Sequence, residues 1–491
     1  MSTFGGLNTA YTGLVAARHG LDVVGQNIAN ANTEGYTRQR VTTSAVDAAS
    51  RVGLMSSGVR PGQGVSVDGI ARLGSASLDA QVRATAAVAG YSAVRANALS
   101  SMEATMKEPG ENGLSTQLQE FWAGWHDVAN AAGETAPAGV LLSRAAAVTA
   151  QISQGYQAVS AQWSSERGSV DTMVAEINGA AGQVAQLNVR IRQSVAGGGS
   201  PNELIDQRNR LTTTLAALTG ASVVNRTDGT VDVLVGGNVL VTGDTARPLV
   251  ALGARTLDGP NGLTDPNGTA GTVRVEWADR AGAIPVDGGE LAGALSVLTR
   301  TDAGGTGGAL AEAAAAYNTF ATGLAAKVNG IYSTGDNSTD PTAVGGKFFN
   351  TAAGPAALSL FVVPKSATQL ATGFTANGAL DGSIADRIAQ LGAGKAVDAG
   401  GNPVRSPSTD WSNVVTSLAV TTKNELRQAS VADLTSTAAV NAQLSNSSVD
   451  LDEENVNLLM FQHAYQGAAR VLTAVDEMLD TLINRTGLVG R

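Results

Sequence analysis

The strongest constraint on how this chain folds is a seven-residue apolar repeat at each of its ends. Leu7, Leu14, Leu21 and Ile28 recur every seven residues, with Phe4, Tyr11, Arg18 and Gly25 at the intervening positions. The steps alternate three and four, a spacing that keeps one face of an α-helix apolar. Asn30 to Gly35 ends this helix, because Asn and Gly accept left-handed backbone. Towards the other end, Leu451, Leu458, Phe461, Tyr465, Ala468, Leu472, Val475, Leu479 and Leu482 keep the same alternation, which only Glu454 interrupts. Asp450 is placed to cap this helix. Asp452, Glu453 and Glu454 fill its first turn, where carboxylates complement the helix dipole. At 1.5 Å per residue the two helices are about 35 and about 50 Å long. The stripes predict that the ends pair with each other or with neighbouring copies. A helix pair with little around it is marginal in water, which allows the ends to fold only on assembly.

Between the ends the period stays helical for long stretches. Leu78 to about Glu108 is Ala-rich and contains no Pro, and Glu108-Pro109-Gly110-Glu111-Asn112-Gly113 breaks it. Leu114, Leu118, Phe121, Trp122 and Trp125 follow at helical spacing, which favours a packing face over a sugar-stacking platform. The Ala136-Pro137-Ala138-Gly139 turn is expected to start a helix from about Val140 to Ala196. Asn202 to Leu218, Leu310 to Asn329 and Trp411 to about Asn446 complete the helical part. Val67 to Arg72 reads as a short strand. From Ala221 to about Asp287 the period becomes two. Val231, Val233 and Val235 face Val239 and Val241 across a Gly236-Gly237-Asn238 turn, and Val273, Val275 and Trp277 form another strand. From Ser333 to about Ser408 the chain is rich in Gly, Thr, Asn and Asp, with a strand expected at Leu358 to Val363.

Composition narrows the function. A net charge of −10 argues against nucleic-acid binding, which leaves a basic footprint. Without cysteine, disulfides and thiolate metal sites are impossible. No apolar run is long enough for a membrane span, and no apolar h-region precedes Arg18, so no cleaved export signal is expected. His19, His126 and His463 are far apart in sequence and lack metal-ligand spacing. Neither a nucleophile elbow nor a phosphate-binding loop is present, and Gly304 to Gly308 reads as a linker. Asn267-Gly268-Thr269 and Asn337-Ser338-Thr339 read as polar loops. No cofactor, metal or catalytic residue is predicted. The acidic group at 450–454 reads as a helix cap rather than a cation site.

Asn27-Ile28-Ala29-Asn30-Ala31-Asn32-Thr33-Glu34-Gly35-Tyr36 resembles the signature of flagellar rod, hook and hook-associated proteins, with Glu34 where that signature usually has Pro. Asn27, Asn30, Asn32, Gly35 and Tyr36 carry the likeness. Gln462, Tyr465, Gln466, Arg470, Asp476, Glu477 and Leu482 resemble the C-terminal helix of the same proteins. Both ends are shared across that superfamily. The middle resembles one member, the hook-associated junction (FlgK) family. There Glu108-Pro109 is followed by Gly113-Leu114-Ser115, Leu118 and Phe121-Trp122-Ala123. Next come Asn178, Leu187 and Asn188, then Glu203-Leu204-Ile205-Asp206-Gln207-Arg208, then Gly288 to Gly293.

That resemblance implies a mainly α, rod-like, discontinuous multidomain subunit with a β-rich insertion. Residues 1–60 and 440–491 would form a terminal coiled coil. A helical-bundle body would take 61–220, 288–332 and 409–439, and an outer β domain 221–287 and 333–408. It implies a structural, non-enzymatic flagellar subunit at the hook–filament junction, outside the cell and exported through the flagellar type III apparatus. The implied partners are sibling copies in a ring, the hook protein, a second junction protein, and an export chaperone on the C-terminal helix, with neither nucleic acid nor membrane. Leu7, Tyr11, Leu14, Leu21, Ile28, Leu458, Phe461, Tyr465, Leu472, Val475, Leu479 and Leu482 are the expected assembly interface. A hook or distal rod subunit is the first alternative, disfavoured by the helical body. A secreted protein with a carbohydrate-related activity in the β segments is the second, disfavoured because those segments contain no histidine.

Overall fold

The computed structural model describes residues 3–46, 62–257, 271–301, 306–336, 346–376, 379–398 and 401–485. Helix α1 (Thr3–Ala29) leads through a turn into an antiparallel hairpin of β1 (Gln39–Ala45) and β2 (Val65–Arg72). The body begins with α2 (Ala76–Met106), α3 (Leu114–Asn130), α4 (Thr135–Ala196) and α5 (Asn202–Thr219). Strands β3 (Ser222–Asn225), β4 (Val231–Val235), β5 (Asn238–Thr242) and β6 (Thr245–Ala246) form one antiparallel sheet. A second contains β7 (Leu249–Leu252), β8 (Arg274–Trp277) and β9 (Arg280–Ala283). Helices α6 (Gly289–Val297) and α7 (Ala309–Tyr332) return to the body. The next segment holds β10 (Phe349–Thr351), the single turn α8 (Ala356–Ser359), β11 (Leu360–Val362), the short pair β12 (Thr375–Ala376) and β13 (Ala379–Leu380), and α9 (Ser383–Gly392). Two long helices, α10 (Pro407–Ser447) and α11 (Leu451–Asp480), close the chain. The architecture is thus mainly α, with long helices at both ends and small antiparallel sheets between.

Helix α4 is the spine, roughly 90 Å long at 1.5 Å per residue. Its buried residues run from Ala138 through Leu141, Val148, Ile152, Val159 and Trp163 to Ile177, Val184 and Ile191, one stripe at helical spacing. It starts earlier than the sequence suggests, because Pro137 sits in the first turn, where its missing N–H would have no partner anyway. Aromatics are only 4% of the chain, yet they are concentrated. Phe121 and Trp125 of α3, Tyr332 of α7, and Phe348 and Phe349 pack with ring centroids 4.7–6.2 Å apart. Trp122 donates from its indole N–H to Ser408 Oγ (2.8 Å), and Trp411 to Glu108 Oε1 (2.9 Å). Glu108 also accepts from the Ser115 amide at the start of α3 (2.8 Å), so the Glu-Pro motif ties α3 to α10. Trp125→Ala removes a fully buried indole from this cluster. It should cost about 3–5 kcal/mol by chemical denaturation, and a loss below 1 kcal/mol would show that the cluster does not anchor the body.

Among the described residues, the two segments expected to make one outer β domain share no sheet. The first lies along the later half of α4, docked by the half-buried Asn178 and the buried Asn188. Asn178 exchanges hydrogen bonds with the backbone of Leu249 (2.9 and 2.7 Å), and Asn188 does the same with Val231 (2.8 and 3.1 Å). The second is held by α3 and α7, where Asn329 bonds the backbone of Phe348 and Phe349. It contains a helix that the Gly- and Asp-rich composition conceals, α9, whose Ile384, Ile388 and Leu391 are buried at steps of four and three. The Gly236-Gly237 turn does join β4 to β5, with both φ values positive as a tight hairpin turn requires. The expected strand at Leu358 to Val363 is shorter, since residues 356–359 form a helical turn. Asn267 and Asn337 lie outside the described residues. Helix α10 runs unbroken through residues 439 and 440, the expected edge of the terminal domain. The break falls at Ser448 to Asp450, where Asp450 Oδ1 accepts from the amides of Asp452 (2.9 Å) and Glu453 (3.3 Å).

Candidate functional site

Helices α1 and α11 lie antiparallel, and their register is readable from three contacts. Gly6 faces Val475, Gly20 faces Phe461, and Asn27 bonds Glu454. On α11 the seam is the predicted stripe. Val475 is buried, Leu458, Phe461, Leu472 and Leu479 are half-buried, and Tyr465 is exposed. The side chain of Leu482 lies outside the described residues. On α1 the seam is not the leucine stripe. It consists of small residues at the same three-and-four spacing, with Gly6, Ala10, Gly13, Ala17, Gly20 and Val24 in line and Asn27 at its end. Ala10, Ala17, Gly20, Val24 and Asn27 are buried. A Cβ on residue 20 would lie 2.5 Å from the Phe461 ring, so glycine there lets the backbones approach. Leu7, Leu14, Leu21 and Ile28 stand about 100° round the helix from this seam and are half-buried, while Tyr11 is 58% exposed. A second stripe on α11 is in solvent: Val456, Met460, Val471 and Met478.

The helix pair joins the body through a buried polar clasp built on the Asn-rich motif. Asn27 and Glu454 are each 1% exposed. Asn27 Nδ2 donates to the Gln39 carbonyl (2.9 Å) and to Glu454 Oε2 (3.2 Å). Its Oδ1 accepts from the Tyr36 hydroxyl (2.9 Å) and the Gln39 amide (3.0 Å), so its hydrogen-bonding capacity is filled. Arg38 forks onto two successive carboxylates, Glu454 (2.7 Å) and Glu453 (2.6 and 2.8 Å). This bonding holds the Glu453 carboxyl below the ordinary carboxylate range. On the body side, Asp206 of α5 accepts from the Thr37 amide (3.0 Å) and from Arg72 Nε (2.6 Å). Gln39 bonds Glu203 and Asn202, each at 3.0 Å. Asp79 of α2 accepts from Asn209 (3.1 Å) and from Gln443 of α10 (2.6 Å). Gly35 takes φ +71° beside Arg210, which donates to the Glu34 carbonyl (2.8 Å). Asn30 bonds back to the end of α1, and Asn32 is exposed.

Of the signature residues, then, Asn27, Tyr36 and Gly35 belong to the clasp. Arg38 and Glu454, its charged centre, were missed. Their signal was a carboxylate at an apolar stripe position and an arginine just after the Asn-rich motif. Burial first, then the charges of Glu203, Asp206 and Glu454, push the Tyr36 hydroxyl from 10.0 up to about 12. Keeping this group neutral stabilises the fold fully below pH 10, and the contribution is lost as the pH rises towards 12. Tyr36→Phe removes that titration and one hydrogen bond worth about 1 kcal/mol. It should leave the variant less stable at neutral pH, with a shallower fall in unfolding free energy above pH 10. Identical alkaline slopes for the two proteins would overturn the assignment.

His19, His126 and His463 are exposed and lie on α1, α3 and α11. Among the described residues no group of acidic and imidazole side chains could hold a metal ion, and no helix is long and apolar enough to cross a membrane. The arrangement supports packing and orientation of helices.

Comparison with known proteins agrees. The family model for the flagellar hook-associated protein FlgK helical domain matches residues 99–349. That for flagella basal body rod proteins matches residues 7–37, and that for the C-terminal part of the rod FlgEFG proteins matches 441–485. Flagellar hook-associated protein 1 of Bacillus subtilis is 29% identical over 524 aligned positions, covering 100% of each chain. The Escherichia coli protein of the same name is 30% identical over 272 residues, 55% of this chain and 49% of that one. Salmonella typhimurium has one that is 32% identical over 249 residues, 50% of this chain and 44% of that one, so these two alignments span about half of the relatives' length. The solved structure of the flagellar hook junction protein FlgK from Burkholderia pseudomallei superposes with a TM-score of 0.58 at 14% identity. It covers 74% of this chain and 99% of that one, a likeness of fold.

Proposed function

The chain belongs to the flagellar hook-associated protein FlgK family and is a structural component of the flagellum, and from that premise we propose that it is the non-enzymatic subunit that joins hook to filament. The observation that carries its role as an assembling subunit is the terminal helix pair, which closes on one seam yet keeps a further apolar stripe on each helix outside it. Burial of such stripes, at about 25 cal/mol per Å², offsets the cost of ordering the ends once neighbours are present. Leu7, Tyr11, Leu14, Leu21 and Ile28 would pack against sibling copies in a ring. Leu458, Phe461, Tyr465, Leu472, Val475 and Leu479 would hold the pair together, with Leu482 extending their stripe. The ring would seat on the hook protein and carry a second junction protein. The subunit would leave the cell by the flagellar type III route without a cleaved signal, with an export chaperone shielding α11. Residues 1–60 and 440–491 would be the assembling unit, the helical body its lateral support, and the β segments its outer surface. Rod and hook subunits share the two ends, and the FlgK-type helical body favours the junction.

Deleting the gene and examining the cells by electron microscopy, with an assay of flagellin in the medium, tests this directly. Hooks without filaments, with flagellin shed, are expected. Absent hooks would place the chain in the rod or hook, and normal filaments would overturn the junction reading.

A further inference from the structure

We propose that Met460 and Met478 form an oxidation site that decides whether the C-terminal helix can be buried in the assembly; this rests on the junction reading above. The two residues lie about five full turns apart on α11, so their side chains leave the same face of the helix. Each is 53% exposed, and both belong to the outer stripe with Val456 and Val471, away from the seam with α1. Elsewhere in the described chain methionine is shielded. Met102 is 1% exposed and Met106 5%, both in the packed face of α2, and Met173 is half-buried in α4. The chain contains no cysteine to consume oxidant first.

The sulfur of an exposed thioether donates an electron pair to one oxygen of a hydroperoxide and is oxidised by two electrons. A sulfur–oxygen bond forms, the peroxide O–O bond breaks, and with hydrogen peroxide the second oxygen leaves as water. The product is a polar sulfoxide where the stripe presented a flexible apolar side chain. In the free subunit this costs little, since both positions face water. In the assembly it places two strongly solvated groups where apolar contact is needed, which burial disfavours. Once the stripe is covered, the sulfurs are beyond the oxidant's reach. Oxidation would therefore act on subunits awaiting assembly and spare those already in place.

The test uses the purified full-length chain, hydrogen peroxide, and hooks isolated from cells lacking the gene. Peptide mass mapping should find sulfoxide at Met460 and Met478 well before Met102, Met106 and Met173. Cosedimentation of the oxidised chain with the hooks should fall roughly tenfold or more, as expected when two buried methionines become polar. Methionine sulfoxide reductases A and B with dithiothreitol should restore it, and peroxide should leave the binding of M460L/M478L at that variant's own untreated level. Undiminished binding of the oxidised chain, or equal peroxide sensitivity in M460L/M478L, would overturn the proposal. If the untreated chain does not bind the hooks, the junction reading itself falls, and the proposal with it.

Discussion

Arg38→Met will destabilise the attachment of the terminal helices by about 3–5 kcal/mol, and adding Glu454→Leu to the same chain will return most of that loss. Arg38 is the cation that offsets the burial of Glu454, whose side chain is 1% exposed. Without it the carboxylate keeps only the Asn27 amide at 3.2 Å, and an uncompensated buried charge costs several kcal/mol. Glu454 occupies a position of the α11 stripe that would otherwise be apolar. A leucine there removes the charge and continues the seam, and such replacements of buried ion pairs are often neutral or stabilising. The comparison therefore isolates burial of charge from loss of contact. Hydrogen exchange at Asn30 to Thr37 and at Ser448 to Asp450 would read it locally. If the double variant opens as readily as Arg38→Met alone, the charge is not what the clasp is balancing.

Leu472→Asp should abolish filament formation while the body keeps its thermal transition. Leu472 sits on the seam between the Gly6–Val475 and Gly20–Phe461 contacts. The substitution forfeits about 1–2 kcal/mol for a half-buried leucine and sets a carboxylate against a wall of Gly and Ala. The body should not register it, because the continuous core from Ala98 to Trp411 contains no residue of α1 or α11. Complemented cells should be non-motile and shed flagellin, and circular dichroism should show the main transition unmoved. Global unfolding would mean that the ends and body fold as one unit, and normal filaments would mean that the seam is dispensable.

The C-terminal stripe was legible because apolar residues at three-and-four spacing have one physical use on a helix, and α11 spends it on α1. The N-terminal stripe was equally legible and points elsewhere. Glycine and alanine give no hydrophobic signal, so the line Gly6, Ala10, Gly13, Ala17, Gly20 looked like background beside Leu7, Leu14 and Leu21. Only the neighbouring helix shows why small residues win there, since Phe461 occupies the space a side chain at position 20 would need. Helix α9 escaped notice for a related reason: ten residues with three large apolar side chains are too short for periodicity to outweigh their Gly- and Asp-rich surroundings.

The sequence by itself determined the long helices, their caps and breaks, the Gly236-Gly237 hairpin, and the likeness to the flagellar axial proteins. All of these depend on residues close together in the chain, where spacing, backbone preference and capping act directly. The tertiary structure alone decided that Asn27, Tyr36, Arg38, Glu454 and Asp206 form one clasp, and that Asn178, Asn188 and Asn329 dock strands onto helices. Those pairings join positions up to 427 residues apart. A polar side chain carries no mark in the sequence of which distant partner will offset its burial, and that cost is settled only when the chain has brought the two together.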